Sequence, residues 1–426
     1  MGYFEIKGGA RLEGVVTISG AKNAGLGVIP AAILAGEMCV IENLPCVSDV
    51  YIFGEILSEL GAAVNLAKNG VMTIDPSSIS KLTATSESVS KFRASYYLLG
   101  ALLGRYGHVE LALPGGCDIG ERPIDQHIKG FEALGATVVI DEENCKITAD
   151  ADQLKGCEIY LDVASVGATI NIMLAAARAE GKTLIVNAAK EPYIVDVANF
   201  INMMGGSVRG AGTDEIRITG RQNLHGCTYA IIPDMMEAGT FMIAAAATGG
   251  NVVLNNVIPN HLDAISAKLL ESGASVETDD DGREFYVKVS ANRRLRGVNI
   301  KTQFYPGFPT DLQQPMGAML SLAKGRSLII EDIFEQRFKY VEELKRMGAQ
   351  IKLNNRRAMI EGVDSLKACD LYASDLRAGA ALVIAALTAD GVSRLHNIHY
   401  IDRGYEHFEH KLAALGADVK RFDLTF

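Results

Sequence analysis

The sequence has no apolar run approaching the ~18 residues that a membrane-spanning helix needs. Its first residues, Met1-Gly2-Tyr3-Phe4-Glu5-Ile6-Lys7, hold neither a secretory apolar stretch nor the Ser or Thr of a myristoylation motif. A cytoplasmic protein without a membrane partner is expected. Surplus positive charge is also missing. The 41 Lys and Arg stand against 51 Asp and Glu, a formal net charge of −10, which argues against nucleic acid and anionic lipid, since both are held by excess cations. Any anion it binds must therefore meet local cations. Seven cysteines, at positions 39, 46, 117, 145, 157, 227 and 369, include no CxxC pair. An odd number scattered over a long chain fits reduced thiols better than disulfides or zinc. There is no GxxxxGK[ST], no GxGxxG after a strand, no HExxH and no GxSxG. His407 and His410 lie three apart in charged, amphipathic text and read as a solvated helix face, not a metal pair.

What the sequence does have is a sixfold repeat. A hydrophobic or small residue followed by Gly, by Ala or Gly, by any residue and then by Val or Ile recurs with its glycine at 61, 135, 205, 273, 348 and 416. The spacings of 74, 70, 68, 75 and 68 are close to one sixth of the 426 residues. Each copy reads as an amphipathic helix stopped by a C′ glycine and turning into a strand. A second helix type also recurs six times, over 24–36, 95–104, 167–181, 238–249, 313–325 and 378–391, and is apolar nearly all round. A helix with no polar face must be surrounded by protein. Three repeats per domain then predict an α/β fold of two domains, with buried helices inside and sheets plus outer helices around them.

The openings of the apolar helices carry polar residues: Lys22-Asn23, Arg93, Ser165, Asp234, Asp311 and Asp375-Leu376-Arg377. Ser and Asp at such places have a plain role as caps of free N–H groups. Lys22, Arg93 and Arg377 do not, because a cation at a helix N-terminus opposes the macrodipole and risks desolvation. Two explanations stand. Either each cation pairs with a neighbouring carboxylate, or the cations and helix N-termini together hold an anion.

One segment, Pro114-Gly115-Gly116-Cys117-Asp118-Ile119-Gly120-Glu121-Arg122-Pro123-Ile124-Asp125, has three glycines and two prolines in twelve residues, between a strand over 109–113 and a helix running to Leu134. It reads as a mobile loop of the kind that carries lids and catalytic groups. Cys117 lies at its tip with Arg122 close by in sequence, and a nearby cation makes a thiol a better nucleophile or a tunable acid. A merely exposed cysteine is the alternative.

With the repeat, Gly20-Ala21-Lys22-Asn23-Ala24, the cysteine-bearing loop, Ser165-Val166-Gly167-Ala168-Thr169, Tyr305-Pro306-Gly307-Phe308-Pro309-Thr310-Asp311, Glu335-Gln336-Arg337-Phe338 and Ile401-Asp402-Arg403-Gly404-Tyr405-Glu406 in view, the chain resembles the UDP-N-acetylglucosamine enolpyruvyl transferases over essentially its whole length. The resemblance implies two inside-out α/β barrels with helices inside. One would be formed by residues 1–21 and 232–426, the other by 22–231. It implies transfer of the enolpyruvyl group of phosphoenolpyruvate to the 3′-hydroxyl of UDP-N-acetylglucosamine with release of phosphate, the first committed step of peptidoglycan synthesis, with no metal or organic cofactor.

The resemblance also implies residue roles. Cys117 would be the proton donor and site of a covalent adduct, and Asp311 the base. Lys22, Arg122 and Arg403 would lie on the phosphate side, with Arg93, Arg337 and Arg377 completing the cation set. Asn23 would orient the sugar. Arg122, Pro123, Ile124, Asp125, His127, Ser165, Val166 and Gly167 would hold the uridine and diphosphate, and Ile333 would also contact substrate. Three departures stand out: Asp162-Val163-Ala164 where some members have a lysine, Glu191-Pro192-Tyr193 for Glu-Pro-Glu, and Pro233-Asp234-Met235 for Pro-Asp-Arg.

Overall fold

The structure is a computed structural model that describes residues 2–87, 89, 92–113, 123–279, 285–292 and 294–423. The chain divides into two compact units. Among described residues, one unit holds 2–19 and 233–423 and the other holds 20–113 and 123–232.

Twelve helices of seven residues or more run through the described residues: α1 (Lys22–Ala31), α2 (Ser48–Glu59), α3 (Tyr97–Tyr106), α4 (Asp125–Ala133), α5 (Val166–Ala176), α6 (Pro192–Met203), α7 (Met235–Ala247), α8 (Asp263–Ser272), α9 (Gln313–Leu320), α10 (Tyr340–Arg346), α11 (Leu376–Leu387) and α12 (Phe408–Ala414). They alternate in kind, as the two recurring sequence types predict. The odd-numbered helices are the apolar ones. Every residue of α9 and α11 is buried, and so are all of α7 but its last. The even-numbered helices bury one face. Four of them, α2, α4, α6 and α8, lead within five residues to a strand, as do α10 and α12, and the six repeat glycines at these exits have φ between 91° and 104°. Only glycine adopts that conformation without strain, so the periodic Gly is explained by backbone sterics.

The inner helices approach closely where a side chain is missing. A Cβ on Gly100 of α3 would stand 2.3 Å from the Asn171 carbonyl oxygen of α5. Asn171 then ties the pair together: its Oδ1 accepts from the Gly100 N–H at 2.9 Å and its Nδ2 donates to the Tyr96 carbonyl at 3.0 Å.

Among the described residues six four-stranded sheets cover these helices, and all six share one pattern. In one of them Glu158–Tyr160 pairs parallel with Lys182–Val186, which pairs antiparallel with Glu215–Thr219, which pairs antiparallel with Val208–Arg209. Three sheets use strands distant in sequence. Gly2–Lys7 inserts between Val392–His396 and Asp418–Asp423, with Tyr3 opposite both His396 and Phe422, and Glu13–Thr17 runs parallel to Asn251–Asn255. These pairings hold the first residues in the same unit as the C-terminal half. In the other unit, Thr228–Ala230 runs parallel to Cys39–Glu42. Tyr193 and Met235, at two of the departures, are both buried. No helix among the described residues is long and apolar enough to cross a membrane, and no cluster of metal-ligating side chains occurs among them. His407 and His410 stack ring on ring, 5.6 Å between centroids.

Ser19, the last residue of the N-terminal segment of its unit, is held by buried charge. Its N–H donates to Glu237 Oε2 at 2.7 Å, its hydroxyl accepts from Lys411 Nζ at 2.7 Å and bonds Glu406, and Lys411 Nζ also reaches Glu237 Oε1 at 2.6 Å. Burial pushes the Glu237 carboxyl up to about 7, with Lys411 pulling against it. The folded chain therefore holds this proton more tightly than the unfolded chain. The stability it contributes is full below the ordinary glutamate value of 4.5 and is lost as pH rises through about 7.

Two predictions follow from this packing. Between pH 4.5 and 7.5 the urea midpoint of the wild type should carry a downward component that Glu237→Gln lacks; parallel curves for the two proteins would refute the assignment. Gly100→Ala should lower stability by about 1–3 kcal/mol through overpacking against α5, read as a lower urea midpoint with little change in slope.

Candidate active site

The sequence-derived site residues fall into three local groups, each within one unit. In the first, Lys22 is the opening residue of α1, a helix with no side-chain cap. Its ammonium, 10% exposed, lies 3.1 Å from Asp49 Oδ2 in the first turn of α2. Of the two explanations for a cation at a helix opening, a carboxylate partner holds here. Asn23 follows on α1, half-buried.

The second group is built by α3, α4 and α5. Arg93 opens the short 3-10 segment Arg93–Tyr96 before α3 and lies over the Tyr96 ring, 5.4 Å from its centroid. Burial pulls its guanidinium below the ordinary arginine value. His127, in the first turn of α4, is buried and its ring is 6.1 Å from that of Tyr96. Burial, and then the nearby Arg93 charge, push His127 down to about 4. It is thus neutral at physiological pH, and Asn171 Nδ2, at 2.8 Å from Nδ1, acts as the donor and so places the ring proton on Nε2. Gly167 leaves room for that nitrogen: a Cβ there would sit 3.0 Å from His127 Nε2. Ser165 caps α5, its side chain accepting from the Ala168 N–H, while Val166 and Gly167 form the first turn. Pro123 is exposed, Ile124 precedes α4, and Asp125, its first residue, accepts from Gln126 at 2.9 Å. At the departure Asp162-Val163-Ala164, the Asp162 carboxylate accepts from Lys129 and Gln126 of α4.

The third group centres on Asp311. It lies in the 3-10 turn Thr310–Leu312 that leads into α9, with its carboxylate about one-fifth exposed. Arg337 Nη2 donates to Oδ1 at 2.7 Å, and Arg377 Nε and Nη2 approach Oδ2 at 3.1 and 3.0 Å. Both arginine side chains are almost fully buried, at 6% and 3% exposure. Each lies on an aromatic ring, Arg337 on Phe334 at 5.1 Å and Arg377 on Tyr405 at 5.2 Å. Burial pulls Arg377 down, but Tyr405, Asp311 and Asp234 together hold it above the ordinary value. Arg377 too has a carboxylate partner at its helix opening.

Asp234 and Asp375 act as caps, each accepting two N–H bonds at the starts of α7 and α11. Asp311, by contrast, turns its two oxygens to Arg337 and Arg377. Ile333 stands on the segment between strand Arg326–Ile330 and Arg337, and Arg403 ends the 3-10 segment Ile398–Arg403. Cys117 and Arg122 lie outside the described residues. Sequence reasoning missed Asp49, Asn171 and Tyr405. Each is an ordinary residue in its own helical or loop text, and only its position beside Lys22, His127 or Arg377 gives it a role.

Chemically, one unit offers buried cations at helix openings and a neutral imidazole with an N–H at Nε2, groups able to bind an anion. The other offers a carboxylate whose two oxygens are held by two buried arginines.

Comparison with known proteins identifies the family. The family model described as EPSP synthase (3-phosphoshikimate 1-carboxyvinyltransferase) matches residues 6–412. The chain is 55% identical over 98% of both chains to UDP-N-acetylglucosamine 1-carboxyvinyltransferase 2 of Clostridium acetobutylicum. It is 54% identical over 99% of its length and 100% of the relative's to UDP-N-acetylglucosamine 1-carboxyvinyltransferase of Clostridium botulinum. Among solved structures, the enolpyruvyl transferase NikO from Streptomyces tendae superposes with a TM-score of 0.86 at 25% identity over 99% of both chains. EPSP synthase from Acinetobacter baumannii, at 20% identity and a TM-score of 0.77 over 99% of this chain and 100% of its own, shares the fold. The α/β architecture read from the repeat is thus that of the enolpyruvyl transferases, and the chain belongs to the EPSP synthase family, among the UDP-N-acetylglucosamine 1-carboxyvinyltransferases.

Proposed function

We propose that this protein transfers the enolpyruvyl group of phosphoenolpyruvate to the 3′-hydroxyl of UDP-N-acetylglucosamine, releasing phosphate, as a step of peptidoglycan synthesis. The observation that supports it most is identity above 50% over nearly the full chain to relatives bearing that name, joined to a carboxylate held between two buried arginines.

In this reading the two parts of the site have separate tasks. Phosphoenolpyruvate carries close to three negative charges, and Lys22, Arg93, Arg122, Arg337, Arg377 and Arg403 supply the balancing cations. Lys22, Arg122 and Arg403 take the phosphate side. Cys117 gives a proton to the methylene carbon while the 3′-oxygen bonds to the neighbouring carbon, and Asp311 takes the hydroxyl proton. Loss of a proton from the new methyl group and departure of phosphate then restore the double bond in the product. An ordinary aspartate is a weak base, so the contribution of Asp311 depends on its aim, which Arg337 and Arg377 set. Asn23 orients the sugar. Pro123, Ile124, Asp125, His127, Ser165, Val166, Gly167 and Ile333 hold the nucleotide sugar, with the Nε2–H of His127 and the free N–H groups opening α5 facing anionic or carbonyl oxygens. The partners are these two small molecules, and the protein acts in the cytoplasm.

The test is phosphate release from phosphoenolpyruvate by the purified protein, with and without UDP-N-acetylglucosamine. Release should require the nucleotide sugar and vanish in Cys117→Ala. Asp311→Asn should lower kcat by about two to three orders of magnitude, with a much smaller change in the KM for phosphoenolpyruvate. Binding of UDP-N-acetylglucosamine without any release by the wild type would replace this reading with that of a silent nucleotide-sugar binder.

A further inference from the structure

Glu331 is a buried carboxylate that neither the motifs nor the ion pairs of the site bring forward. It follows the strand Arg326–Ile330 and is 0% exposed, and its carboxylate bonds no Lys or Arg side chain among the described residues. Four donors satisfy it instead. Its Oε1 accepts from the Thr302 hydroxyl at 2.9 Å, the Ile333 N–H at 2.9 Å and the Phe334 N–H at 3.1 Å, and its Oε2 accepts from the Thr310 hydroxyl at 2.9 Å. Thr302, also fully buried, accepts in turn from the Asp332 N–H at 2.9 Å. Four donors thus reach this carboxylate, three on Oε1 and one on Oε2.

The donors come from three separate segments, and two of them carry the site. Thr310 opens the 3-10 turn in which Asp311 is the next residue. Ile333 and Phe334 start the segment that reaches Arg337, whose guanidinium grips Asp311 at 2.7 Å and lies over the Phe334 ring. Glu331 therefore holds both ends of the Asp311–Arg337 pair from beneath. It also consumes the Ile333 N–H, which fixes how that residue is presented. A buried charge without a counter-ion is costly unless every lone pair is used. The same outlay would be unnecessary if the position needed only to fill space, since an apolar residue would do so.

We propose that Glu331 is a positioning residue for the enolpyruvyl transfer, setting the aim of Asp311 and the placement of Ile333 through Thr310 and the 333–334 amides. This rests on the functional reading above. It assigns Glu331 no proton transfer and no substrate contact. In Glu331→Gln an amide NH2 replaces one oxygen. If it lies on the Thr310 side, that hydroxyl must reverse its bond. If it lies on the other side, it faces the Ile333 and Phe334 N–H groups and cannot accept from them.

The experiment measures phosphate release for the wild type, Glu331→Gln, Thr310→Val and Asp311→Asn, and for each of the first two variants combined with Asp311→Asn. A misaimed base costs up to about 100-fold, so Glu331→Gln should lose about 10- to 100-fold in kcat, with the KM for phosphoenolpyruvate within about twofold of wild type and the KM for UDP-N-acetylglucosamine raised. Thr310→Val should show the same pattern at smaller size. In the Asp311→Asn background both losses should shrink to less than about twofold, because the group being aimed is already gone. A merely structural role would give equal losses in both backgrounds and would overturn the proposal, as would full kcat in Glu331→Gln. Should Glu331→Gln fail to fold, the Thr310→Val pair decides by the same criterion. An active wild type with unaffected variants refutes only the role of Glu331, whereas an inactive wild type refutes the functional reading itself and this role with it.

Discussion

Each unit depends on keeping three helices with almost no polar surface out of water. Helices such as α11, in which every residue including Arg377 is buried, are stable only inside a complete shell. At roughly 25 cal/mol per Å² of apolar surface, exposing one of them would cost several kcal/mol, a large part of what holds a domain folded. The rest of the architecture follows from that need. Sheets with alternating buried and exposed residues cover the helices, and outer helices seal what the sheets leave. The glycines at 100 and 167 let backbone and ring approach where a methyl group would collide.

The same constraint explains where polar chemistry appears. Inside the shell a charge must be paired or fully hydrogen-bonded, and the helix openings, where unsatisfied N–H groups create a demand for acceptors, are one place that meets this need. Ser165, Asp234 and Asp375 meet that demand directly. Lys22 and Arg377 go against it, and each is compensated by a carboxylate from another element, Asp49 or Asp311. Such pairs keep a buried cation fixed in place at modest net stabilisation, because desolvation offsets most of the attraction. What each pair retains is a cation held in place within its own unit, with its side-chain entropy already spent.

Neutral and acidic groups are tuned by the same burial. His127 is held neutral at about 4 and Glu237 is raised to about 7. Both shifts have desolvation as their largest cause, and both side chains lie in the first turn of a helix, His127 in α4 and Glu237 in α7. The difference lies in the neighbours. His127 has a cation, Arg93, which adds to the effect, while Glu237 has Lys411, which opposes it.

Much of this was legible without coordinates. The glycines at 61, 135, 205, 273, 348 and 416 revealed the sixfold repeat because a left-handed C′ position admits little else. The runs of Ala, Leu, Ile and Met marked the inner helices because a helix without a polar face has one possible environment. The cations at 22, 93 and 377 stood out because a positive charge at a helix opening opposes the macrodipole. The tertiary structure alone decided the partners. Lys22 meets Asp49 across 27 positions, His127 meets Asn171 across 44, and Arg377 meets Asp311 across 66. The strand Gly2–Lys7 closes a sheet with residues near 420. Periodicity reports what each helix or strand does with its own faces. Which opening stands beside which depends on how the elements pack, and that is set by the summed burial of the whole unit, not by any local pattern.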